Sequence, residues 1–127
     1  MGKLKTLLTV FLLGAAPAAA LTTTDDPQLR FFATCTGRLS ALMEFQWTYD
    51  TASADKTRSH RSEMITLVNA VMPADAGRDV LLLRIDAKHA QASLLRRAVI
   101  NADPSDAAWA QARADEMLTE CLSVLLH

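Results

Sequence analysis

No stretch of this sequence alternates apolar and polar residues with period two, and neither Asn-Gly nor Asp-Gly occurs in it. Both absences argue against strands and tight hairpins. Metal-site spacing is missing too. There is no C-x-x-C and no H-x-x-x-H, and His60, His89 and His127 lie far apart. C-x-x-C-H, the attachment motif of c-type haem, is also absent. Methionines such as Met43, Met64, Met72 and Met117 recur at helical spacing, where the residue is usually core filler. No cofactor is therefore expected. The chain has no basic excess: its formal net charge is −1. Nucleic-acid binding thus has no electrostatic footprint. Ser40 and Ser93 have no motif around them, and no internal repeat or low-complexity segment is present.

What is present begins with a leader. Lys3 and Lys5 precede an apolar run from Leu7 to Ala16, and Ala18-Ala19-Ala20 supplies small residues beyond Pro17. The pattern predicts a secretory signal peptide over residues 1–20, cleaved after Ala20. The run is shorter than the roughly 20 residues of a membrane-spanning helix. No transmembrane segment is expected after cleavage. Residues 21–127 then form a single helical domain, and loss of Lys3 and Lys5 takes the net charge from −1 to −3. Arginine outnumbers lysine nine to four and alanine is frequent, a composition that leans towards a bacterial periplasm.

Four helical patterns follow, at about 27–49, 53–72, 78–100 and 104–126. Asp26-Pro27 and Asp103-Pro104 each place a capping carboxylate before a proline suited to the first helical turn. Phe32, Cys35, Leu39, Leu42 and Gln46 mark the stripe of the first helix. The second has a polar start and an apolar end with Met64, Leu67, Val68, Val71 and Met72, which predicts N-terminal turns projecting past the core. In the third, Leu81, Leu82, Ile85, Ala92, Leu95 and Val99 read as the core face. Arg84, Asp86, Lys88, Arg96 and Arg97 read as its solvated face. Ala107, Ala110, Ala114, Met117, Leu118, Cys121 and Leu125 mark the fourth. Similar lengths and short connections predict an all-α, up-down-up-down four-helix bundle.

Only two cysteines occur, and each lies on its own helix's apolar seam. Cys35 lies about two turns into the first helix, Cys121 less than two turns before the end of the fourth. Antiparallel packing brings those levels together, and export would let them oxidise. A Cys35–Cys121 disulfide joining the first and last helices is expected. It leaves Cys35 unavailable as a nucleophile.

Two surface features remain as a candidate partner-binding patch. One is the basic segment with Lys56, Arg58, His60 and Arg61. The other is the aromatic set Phe45, Trp47 and Tyr49 at the end of the first helix, of which Phe45 and Trp47 are the patch candidates, since an exposed ring beside positive charge would make an interface. The expected role is a small exported, non-catalytic interaction or accessory protein whose partner is another periplasmic or envelope protein. Alternatives are a bundle carrying haem, metal or a small apolar ligand, or an inhibitor or immunity protein of a secreted enzyme.

Overall fold

A computed structural model describes residues 25–125. The leader over residues 1–20, its cleavage point and His127 lie outside the described residues. The four helices are α1 (Pro27–Tyr49), α2 (Thr51–Val71), α3 (Gly77–Val99) and α4 (Pro104–Leu122). Asp26 Oδ1 accepts from the backbone N–H groups of Gln28 and Leu29, and Asp103 Oδ1 from those of Ser105 and Asp106. Each carboxylate thus satisfies donors that an open helix end leaves unpaired.

Two boundaries differ from expectation by more than one residue. The second helix begins at Thr51 rather than residue 53, because Asp50 ends α1 and caps α2 at once. Its backbone N–H reaches Gln46 O while its carboxylate takes the N–H and hydroxyl of Ser53. The fourth stops at Leu122, short of residue 126. There the Ser123 hydroxyl donates to Glu120 O, and Leu125 N–H donates to Leu122 O, a tighter turn than the α-helix allows.

The chain runs up-down-up-down. Thr57 bonds Gln46 and Arg61 bonds Ser40, so α2 descends beside α1. The C-terminal ends of α1 and α3 share one groove, so these two are parallel. Gln91 reaches Ala114 O, and α4 descends along α3. Of the four, α1 is central. It has ten buried residues, against three or four in each other helix, and both α2 and α3 pack extensively on it. α4 leans chiefly on α3 and meets α1 at few points.

One of those points is the Cys35–Cys121 disulfide, with Cα atoms 5.4 Å apart. Around it lies the main core, with Leu29, Phe32, Leu39, Met64, Val68, Val80 and Leu118 buried. A smaller cluster of Ala41, Leu95 and Ala114 continues towards the other end.

Two expectations about helix faces are corrected. The polar start of α2 does not project: Ala54 and Thr57 are buried against α1, because short side chains let the backbones approach. On α3, Leu81, Leu82, Ile85 and Val99 are exposed. Its buried side runs instead through Val80, Gln91 and Leu95, with Arg84, Ala87 and Lys88 half-buried. The cause is Gly37. A Cβ built there would overlap Arg84 O and meet Ala87 Cβ and Lys88 N at 3.0 Å. The α3 backbone lies directly on this glycine, so the contact selects for small size and shape rather than for the most apolar side of α3.

Candidate functional site

The close crossing at Gly37 creates a groove bounded by α1, α2 and α3. It is about 190 Å³ in volume. Ser40, one turn beyond Gly37, is buried and donates its hydroxyl to Thr36 O at 2.8 Å. The same Oγ accepts from Arg61 Nε at 2.7 Å, which turns the α2 guanidinium in towards α1. Arg84 enters from α3, placed by the contact of its own carbonyl with Gly37. Met43, Leu81 and Ile85 supply apolar walls. Lys88 and Glu44 complete the lining and pair with each other at 2.6 Å. Among the described residues, neither Arg61 nor Arg84 is ion-paired to a carboxylate. Burial, and secondarily the like charge of Arg61, lower the pKa of Arg84 from its ordinary value.

A second groove, of about 320 Å³, separates the C-terminal ends of α1 and α3. Phe45 and Tyr49, four residues apart and so on one helix face, hold their ring centroids 4.5 Å apart on its α1 side. Ala92, Leu95, Val99 and Ile100 form the opposite wall. Tyr49, Val99 and Ile100 are 58%, 50% and 68% exposed, so this apolar surface is open to solvent.

Of the expected patch residues, Phe45 lines the second groove and Arg61 the first, whereas Lys56, Arg58, His60 and Trp47 line neither. Phe45 is half-buried in the aromatic groove, and Trp47 is exposed but does not line it. Lys56 and Arg58 are exposed, and Arg58 pairs with Asp55 of its own helix at 3.1 Å. His60 is half-buried. Arg61 alone of the basic segment faces the groove beneath Gly37. No residue of the basic segment lines the Phe45 groove. Cys35 and Cys121 are both fully buried in their disulfide. The Arg38 guanidinium lies beside that bond, 3.7 Å from Cys121 Sγ, and also reaches Glu120 and Met117 O.

Arg84 and Gly37 carry the first groove and were not singled out by sequence reasoning. Arg84 reads as one of several charges on a solvated face. The available signal was Gly37 itself, since a glycine inside a helical pattern costs about 1 kcal/mol relative to alanine and so calls for a packing reason. Among the described residues, no group of three or more His, Cys, Asp or Glu side chains is placed to hold a metal ion, and no helix is long and apolar enough to cross a membrane.

Neither groove sets a carboxylate, hydroxyl or thiol as an evident nucleophile beside a base. Ser40 already donates to Thr36 O and accepts from a guanidinium, which has no proton-accepting capacity. The arrangement presents one groove lined by three cations and one carboxylate, and a second lined mainly by apolar side chains. Compared with known protein families, with curated proteins and with solved structures, the chain shows no significant match.

Proposed function

We propose that this is an exported, non-catalytic interaction or accessory protein that works in a bacterial periplasm by binding another envelope protein. The leader chemistry of Lys3, Lys5 and the Leu7–Ala16 run supports export. So does the disulfide, a bond that persists in oxidising compartments.

The observation that carries the binding role is the open groove of Phe45, Tyr49, Leu95, Val99 and Ile100. Aromatic and aliphatic side chains clustered at the surface are the usual anchors of a protein interface. Arg96 adds a positive charge at the same groove, and the one carboxylate that lines it, Glu44, is paired with Lys88. The complementary partner presents an apolar side chain with a carboxylate next to it.

The test is a photo-crosslinking residue placed at Val99 of the full chain in its native cells, with the same residue at exposed Thr119 as control. A discrete adduct from Val99, absent from Thr119 and lost in the Phe45→Ala/Tyr49→Ala background, is the expected result. No adduct from Val99, or the same adduct from both positions, overturns the reading.

A further inference from the structure

The groove beneath Gly37 holds positive charge that the protein itself does not neutralise. Three cations line it, Arg61, Arg84 and Lys88, and one carboxylate, Glu44, which is committed to Lys88. That leaves two guanidinium charges, those of Arg61 and Arg84. Two like charges held near each other in a half-buried groove raise the free energy of the empty site. Solvated arginines would separate. Arg61 is held by its bond to buried Ser40, and the contact at Gly37 fixes the stretch of α3 backbone from which Arg84 lines the same groove. Arg61 spends only its Nε on Ser40, so the outer nitrogens of its fork remain available as donors.

We propose that the groove between α1, α2 and α3 is a binding site for a small phosphate monoester, its phosphoryl group held by Arg61 and Arg84 and its ester carbons lying against Met43, Leu81 and Ile85. Charge selects the headgroup. A phosphate monoester carries about −1.5 to −2 near neutral pH and offers three acceptor oxygens. It matches two guanidiniums, whereas a single carboxylate leaves one of them unbalanced. Arginine forks suit phosphoryl oxygens, which can accept two parallel bonds from one side chain. Size selects the rest. At about 190 Å³ the groove is smaller than the roughly 300–1,000 Å³ of sites for drug-sized ligands. The 51% and 39% exposure of Leu81 and Ile85 then has a use, since a bound alkyl or aryl group would cover both. This site shares only Glu44 with the Phe45 groove and none of the residues that would hold the phosphoryl group, so the crosslinking result at Val99 has no bearing on it.

The competing explanation is that Arg61 merely ties α2 to α1 through Ser40. Titration of the oxidised protein at low ionic strength with hexyl phosphate, inorganic phosphate and hexanoate separates the two, followed by amide chemical shifts. The expected result is saturable shifts at Gly37, Ser40, Arg61 and Ile85, with hexyl phosphate binding tightest and hexanoate weakest. Arg61→Gln and Arg84→Gln should each weaken hexyl phosphate about tenfold, the scale of losing a charge-assisted pair. Arg58→Gln, which removes an exposed cation from the same helix, should leave it unchanged. Far-ultraviolet circular dichroism checks that each variant is folded, and Arg61→Lys keeps the charge should Arg61→Gln unfold. Absence of saturable shifts at millimolar hexyl phosphate overturns the proposal. So does equal binding of hexanoate, or an Arg58→Gln loss as large as that of Arg84→Gln.

Discussion

Gly37 of α1 lies directly beneath the backbone carbonyl of Arg84 on α3, with no room for a Cβ between them. Two effects of opposite sign meet there. Alanine is favoured over glycine in a helix interior by about 0.5–1 kcal/mol. Overfilling a packed contact costs about 1–3 kcal/mol, and the atom in the way is backbone, which cannot rotate aside. Overpacking wins, so Gly37→Ala should lower stability in urea denaturation. Gly77→Ala is the control, because nothing lies within 4 Å of a Cβ there. It should be neutral or stabilising. A Gly37→Ala protein as stable as the parent would mean that α1 and α3 are not held this closely.

The disulfide links residues 86 apart in sequence and so closes most of the described chain into one loop. Loops of that length are worth about 4–5 kcal/mol in the chain-entropy treatment, and about 2–4 in typical practice. It also fastens α4 to α1 where those helices otherwise touch little. Cys35→Ala/Cys121→Ala should therefore lose about 2–4 kcal/mol. Amide exchange should rise most in α4. Uniform loss of protection across all four helices would show that the bond does not act chiefly on that contact.

The helices, their order and the cysteine pairing were legible because each rests on a local or topological signal. Asp26-Pro27 and Asp103-Pro104 fix two starts at the expected residues, and the seam positions of Cys35 and Cys121 fix their level. How each helix is rotated about its own axis was not legible. On α3 the apolar pattern favours Leu81, Leu82 and Ile85, yet the helix turns its smaller Ala87 side to Gly37 and leaves those residues outside. Periodicity reports hydrophobic content, whereas the rotation here is set by how closely two backbones approach. The same rotation brings Arg84 into the groove with Arg61, a pairing that no spacing in the sequence encodes.

Asp26 and Asp103 each cap a helix that starts with proline, and each accepts two backbone N–H bonds. Asp26→Ala and Asp103→Ala should each cost about 1 kcal/mol. The caps belong to separate helices and share no bonding partner, so the double variant should lose close to the sum. Chemical denaturation of the two single variants and the double checks this. A double-variant loss well below the sum would reveal coupling between the two helix starts.

Gln91 is fully buried between α3 and α4. Its Nε2 donates to Ala114 O at 3.2 Å, while its Oε1 has no hydrogen-bond partner among the described residues. A buried acceptor without a donor costs about 1–3 kcal/mol. Methionine fills similar space without that acceptor, and Ala114 O sits inside a helix with its own backbone donor to accept from. Gln91→Met should be neutral or stabilising by up to about 1 kcal/mol. A marked loss of melting temperature would mean that Gln91 Oε1 has a donor after all, such as a buried water.

Asp106, in the first turn of α4, accepts from Arg97 on α3 and from Asn101, and Arg97 also stands over the Trp109 ring at 5.1 Å. The Arg97 hydrogen bond first, and the Asn101 bond second, lower the Asp106 pKa below its ordinary 3.8. A carboxyl whose folded pKa is depressed contributes stability above its unfolded value, and that contribution fades as pH falls through the folded one. The window therefore lies below about pH 4. Thermal melts of the parent should show stability falling with acid there. Asp106→Asn keeps a side-chain oxygen to accept from Arg97 but carries no titrating charge, so its melting temperature should fall less steeply over the same window. The variant should be the less stable of the two at neutral pH, where the parent carboxylate is fully charged. Parallel acid limbs for parent and variant would show that the α3–α4 ion pair adds nothing to the pH dependence of folding.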